Sequence, residues 1–141
     1  VILLLNAAAT WFMTGLIWFV QIVHYPLFAA VGREGFASYE VAHSRLTTLV
    51  VAPVMLVELA SGAALLVTGS VPRLAALAGL ALLSVIWLST VLLQIPSHST
   101  LALGFSDDAY RRLVATNWLR TAAWSLRAAL VFWLLWRRSG S

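Results

Sequence analysis

Three histidines are the side chains in this sequence best suited to hold an ion or relay a proton. His24, His43 and His98 lie far apart in the chain and fall in no compact ligand motif such as HExxH, so any convergence must come from the fold. Neutral imidazoles carried on different helices can meet on Zn, Cu or Fe, or ligate a haem, while nearby carboxylates and amides orient their free ring nitrogens. Glu58, Arg120 and Arg127 form a second group, each an ionisable residue inside an apolar stretch such as "PVMLVELASG". A charge at such a place is costly unless it is paired, neutralised or hydrated.

The composition says which medium those groups sit in. Apolar residues make up 62% of the 141-residue chain and charged residues only 10%. The mean hydropathy is +0.93, whereas roughly a quarter of residues in a soluble domain are charged. This predicts a single-domain integral membrane protein, with the bacterial inner membrane as its expected location and the lipid bilayer as its first partner. The chain has no cysteine, which removes disulfides, thiolate metal sites and iron–sulfur clusters. All nine basic residues are arginine, which removes lysine Schiff-base chemistry. The net charge is +4, but the arginines are scattered and form no basic face, so nucleic acid is not an expected partner.

Four segments have the roughly 20 apolar residues needed to cross a hydrocarbon core. They fall at about 1–24, 45–67, 73–96 and 113–136, with Pro96 expected to close the third. The fold class is therefore all-α, an integral membrane antiparallel four-helix bundle. An even number of spans brings His24, His43 and His98 to one side of the membrane, together with Tyr25, Tyr39, Tyr110 and Glu40. The positive-inside count is nearly balanced and leaves the orientation open.

At about 100° per residue the polar residues of each span share one arc. Asn6, Thr10, Thr14, Gln21 and His24 do so on the first; His43, Thr47, Glu58 and Ser61 on the second; Ser84, Trp87, Gln94 and His98 on the third; Asn117, Arg120, Trp124 and Arg127 on the fourth. Because lipid-facing surfaces are apolar, these arcs should face one another. At roughly 1.5 Å per residue, Glu58 lies about 20 Å deep, Arg127 about 22 Å and Arg120 about 12 Å, which matches Glu58 with Arg127. Trp118 and Trp124, near Asn117 and Arg120, could line a flat ligand.

The stretches "TWFMTGLIWF", "HYPLF", "HSRLTTLVVAPVMLVELASG" and "NWLRTAAW" resemble a small bacterial four-span membrane family. In layout the chain is similar to HemJ-type protoporphyrinogen oxidases, CopD-like copper-resistance proteins and anthrone-oxygenase-like membrane proteins. The resemblance covers most of the chain in span order and length, and it implies a scaffold for redox chemistry on hydrophobic, often flat, substrates.

The combined expectation is a metal or haem site at the histidine end of the bundle, oxidising a lipophilic small molecule. His24, His43 and His98 are the expected metal ligands. Glu58 is expected as a fourth ligand or proton acceptor, Arg120 as a catalytic partner, and Asn117, Trp118 and Arg127 as cofactor-binding residues. Imidazole suits Fe, Cu and Zn alike. The same residues also allow a non-catalytic accessory subunit of a larger membrane complex, a homo-oligomer, or a small transporter in which Glu58 and the arginines line a route.

Overall fold

Helix formation follows the apolar runs and continues past the prolines that the sequence offers as stops. The computed structural model describes residues 1–140. They form four long helices: α1 (Ile2–Ala30), α2 (Arg33–Val67), α3 (Arg73–Leu101) and α4 (Asp107–Ser139). α1 packs on α2 and α4, and α3 packs on the same two neighbours, which closes a ring of four. Successive helices run antiparallel: Asn6 at the start of α1 bonds Ser61 near the end of α2, while His24 near the end of α1 meets His43.

Two of these helices exceed their expected limits because a wide turn accommodates proline. A π-helical turn spans Val20–His24, just ahead of Tyr25 and Pro26, and another spans Thr90–Gln94, just ahead of Ile95 and Pro96. Proline has no N–H, and its ring crowds the carbonyl four residues earlier, here Ile22 and Leu92. The extra residue in a π turn relieves that crowding without breaking the helix. Pro96 therefore does not close α3, which runs on to Leu101 and carries His98 with it.

α2 also starts earlier than expected, at Arg33 rather than near residue 45. Gly32 precedes it at φ 88°, a left-handed conformation that suits glycine. Phe36 and Glu40, one turn apart, are both fully buried, so this turn is held by packing. α4 has Ser106 as its cap, whose hydroxyl accepts from the Ala109 N–H at 3.3 Å. Asp107 and Asp108 occupy its first turn and Arg137 and Arg138 its last, complementing the helix dipole.

α1, α2 and α3 are long and apolar enough to cross a membrane. α4 is long, at 33 residues, but Asn117, Arg120 and Arg127 dilute its apolar character. The bundle is polar within and apolar without. Asn6, Thr10, Glu58, Asn117 and Arg127 are buried, while Leu49, Val50, Leu92 and Leu126 are exposed. One expected polar position is reversed: Ser84 faces outward and bonds back to the Leu80 carbonyl, while Ser89 is buried.

Candidate metal centre

The two π turns and the early start of α2 together bring the histidines to one place. His24 and Tyr25 sit at the end of the α1 π turn, His98 follows the π turn of α3, and Glu40 and His43 lie three residues apart on one face of α2. Glu40, His43 and His98 each offer one ligand atom, and these atoms lie within 4.8 Å of one another. Ions of the Zn class bind nitrogen and oxygen at about 2.0–2.2 Å, so the three donors would close on an ion with shifts of about 1 Å.

Hydrogen bonds fix the donors in place. Glu40 is fully buried; its Oε1 accepts from His98 Nδ1 at 2.5 Å and from the Ser44 hydroxyl at 2.9 Å. Its other oxygen, Oε2, is buried without a hydrogen-bond partner. Because a carboxylate oxygen accepts, the His98 proton sits on Nδ1, and in the neutral ring Nε2 accepts from the Tyr25 hydroxyl at 3.0 Å. His43 Nδ1 lies 2.9 Å from His24 Nε2 and 3.2 Å from the Thr47 hydroxyl. With Nδ1 so engaged, His43 Nε2 is the nitrogen left to ligate, the arrangement in which a neighbouring group orients a metal-binding ring.

Aromatic rings enclose the cluster. The His24 and His43 ring centres are 4.7 Å apart, and those of His43 and His98 are 5.4 Å apart. Phe28 stands edge-on to His24 at 5.3 Å and to His43 at 5.1 Å, while Tyr39 stacks on His43 at 6.2 Å.

Glu58 belongs to a different network, roughly 22 Å further along α2 than His43 at the helical rise. Its Oε1 accepts from Thr10 at 2.7 Å and from Arg127 Nε at 2.9 Å, and its Oε2 accepts from Trp124 Nε1 at 3.0 Å. Arg127 donates as well to the Gly79 carbonyl, to Thr10 and to Asn6. A Cβ at position 79 would stand 3.3 Å from Arg127 Nη1, so glycine is what lets the guanidinium approach this closely. The depth-matched pair Glu58 and Arg127 is thus present, and the carboxylate beside the histidines is Glu40.

The remaining expected residues divide as follows. His43 and His98 join the ligand group, whereas His24 contacts it through His43. Arg120 is buried behind Tyr25, with its guanidinium 5.3 Å from the Trp124 ring and its Nε unpartnered. Asn117 donates to Gln21 at 2.9 Å in the same inner layer. Trp118 lies on the outer surface, 47% exposed and edge-on to Trp18. It therefore does not line the interior that Asn117 and Arg120 face.

Comparison with protein-family models, curated proteins and solved structures finds no match for this chain. Glu40 was the site residue that helical-wheel reasoning passed over. The available signal was its Glu-x-x-His spacing to His43, the i, i+3 pattern used by carboxylate metal sites in helical bundles.

Proposed function

We propose that this protein is an integral membrane metalloprotein whose ion is held by Glu40, His43 and His98. The observation that carries the reading is the Glu40 side chain: a fully buried carboxylate with one oxygen unpartnered beside two imidazoles. A buried acceptor without a partner costs about 1–3 kcal/mol, and a cation bound there would remove that cost.

Two histidines and one carboxylate with open positions form the donor set of non-haem Fe(II) oxygenases. The reading is therefore an Fe(II)-dependent oxidoreductase that oxidises a lipophilic substrate with dioxygen. A single ion suits the cluster better than a haem, because the imidazoles pack ring against ring and leave no gap for a macrocycle. With an ion bound, the His98 proton would move to Nε2 and donate to the Tyr25 hydroxyl, freeing Nδ1 to ligate beside Glu40, so that His24 and Tyr25 orient His43 and His98 from outside the ligand set. The apolar exterior fits lipid contact for the whole bundle, with α4 sheltering Arg120 and Arg127 against the other helices.

The test is metal content of detergent-purified protein after reconstitution with Fe(II) under anaerobic conditions and, separately, with Zn(II). Bound metal near one equivalent is expected, with loss in Glu40→Gln, His43→Ala and His98→Ala variants that keep their helical circular dichroism. A folded wild type that takes up neither ion would overturn the reading. Occupancy should also fall as the pH is lowered, because protons compete with the ion for imidazole and carboxylate.

A further inference from the structure

Beside the histidine cluster, at the same end of the bundle, lies a partly open cavity of about 210 Å³. Its walls include Phe28, Ala29, Arg33, Phe105, Asp107 and Tyr110. Phe28 is shared between the two regions: it lines the cavity and also stands edge-on to His24 and His43. Phe28 is itself fully buried, so its ring forms the inner wall between this end of the cavity and the imidazoles.

The dimensions limit the occupant. An engineered cavity of about 150 Å³ in a protein core accepts benzene, so this one has room for one substituted ring. The chemistry of the walls limits it further. Phe105 and Tyr110, both half-buried, offer faces and edges to an aromatic guest. Arg33 lies over the Phe105 ring at 5.4 Å and donates to Asp107 at 2.9 Å. A guanidinium has five N–H donors, so Arg33 can give a further bond to a ligand oxygen. Asp107 already balances the Arg33 charge, which favours a neutral hydroxyl over a second anion.

We propose that this cavity binds a single-ring phenol next to the ion site, with its ring against Phe105 and Tyr110 and its oxygen towards Arg33. The position at the bundle end would let such a phenol enter from the headgroup region while an alkyl substituent stayed in lipid. The assignment deepens the metalloprotein reading by naming its substrate class, and it rests on that reading only for the distance between ring and ion.

The probe is 4-fluorophenol, followed by its ¹⁹F line width in detergent micelles, first with metal-free protein. Line broadening that exceeds the protein-free micelle control is expected, with loss in Ala29→Trp, which fills the cavity, and in Arg33→Met, which removes the donor. 4-Fluorotoluene, lacking the oxygen, and 6-fluoro-2-naphthol, with a second ring, should each broaden several-fold less. No broadening by folded wild type, full broadening in both variants, or equal broadening by the naphthol would overturn the assignment. Loading Co(II) in place of Fe(II) then tests the distance. Further paramagnetic broadening of bound 4-fluorophenol is expected, and its absence with Co(II) bound would overturn the adjacency. If Co(II) does not bind, the metalloprotein reading fails while the metal-free result still decides the phenol site.

Discussion

Two buried carboxylates sit in this bundle, one at mid-length and one at an end, and they differ in how completely their bonds are made. Around Glu58 both carboxylate oxygens accept, and Arg127 donates from Nε and both terminal nitrogens. Around Glu40 one oxygen is satisfied twice and the other not at all. The same residue type therefore has two fates. A closed network has no valence to give a ligand and holds helices together; an incomplete one, beside two imidazoles, leaves a carboxylate oxygen open to a ligand. The closure at Glu58 also argues against the transport reading, since a carboxylate locked by a buried arginine and three helices is poorly placed to pass an ion along.

Breaking the closed network should give the largest effect. Glu58→Gln leaves the Arg127 guanidinium buried without its counter-charge and presents an amide to the Trp124 donor. Removing one partner of a buried pair typically costs about 3–5 kcal/mol, and a loss of this size is expected in unfolding of the detergent-solubilised protein. Replacing both partners, as in Glu58→Gln with Arg127→Met, should recover part of that loss, because the strand of coupling between them disappears with the pair. Metal uptake should persist in any variant that remains folded. Additive losses in the double variant would show that the two side chains act independently.

At the open end the expected effects fall on the ion. His24→Ala should weaken Zn(II) binding by about 10–100-fold, the usual consequence of losing a group that orients a ligand, as read by competition with a chelator. Abolition as complete as in His43→Ala would instead make His24 a ligand, as its sequence position suggests. Without metal, Glu40→Gln should change stability by no more than about 1 kcal/mol, since the amide oxygen can still accept from His98 Nδ1. A loss as large as that of Glu58→Gln would erase the distinction between the two networks.

This contrast was only half legible in the sequence. The Glu58 and Arg127 pair could be found because regular helical rise fixes depth, and the α-helix runs unbroken from Arg33 to Val67, through Pro53, and from Asp107 to Ser139. The histidine end was harder because local rules fail there. Pro26 and Pro96 read as helix stops, yet burial of Phe28, Ser97 and Leu101 beyond them favours continuation, and each π turn removes the steric objection. Each π turn also adds a residue, so a wheel stepped at a constant angle loses its phase after Val20 and Thr90. Glu40 was hidden for a related reason. A helix expected to begin near residue 45 leaves Glu40 in a loop, whereas packing of Phe36 starts the helix twelve residues earlier, at Arg33.

A third polar pair extends the comparison to the surface. Arg33 and Asp107 join α2 to α4 at 2.9 Å, but their side chains are 71% and 56% exposed. Water solvates both charges in the folded and unfolded protein, so the pair should contribute no more than about 1 kcal/mol. Ser106 and Asp108 would still cap and charge the first turn of α4 in Asp107→Asn. That variant should therefore unfold within about 1 kcal/mol of wild type, with the difference shrinking as salt screens the exposed charges. A salt-insensitive loss approaching that of Glu58→Gln would mean that burial and bond completion do not govern what these pairs contribute, and the distinction between closed and open networks would fail with it.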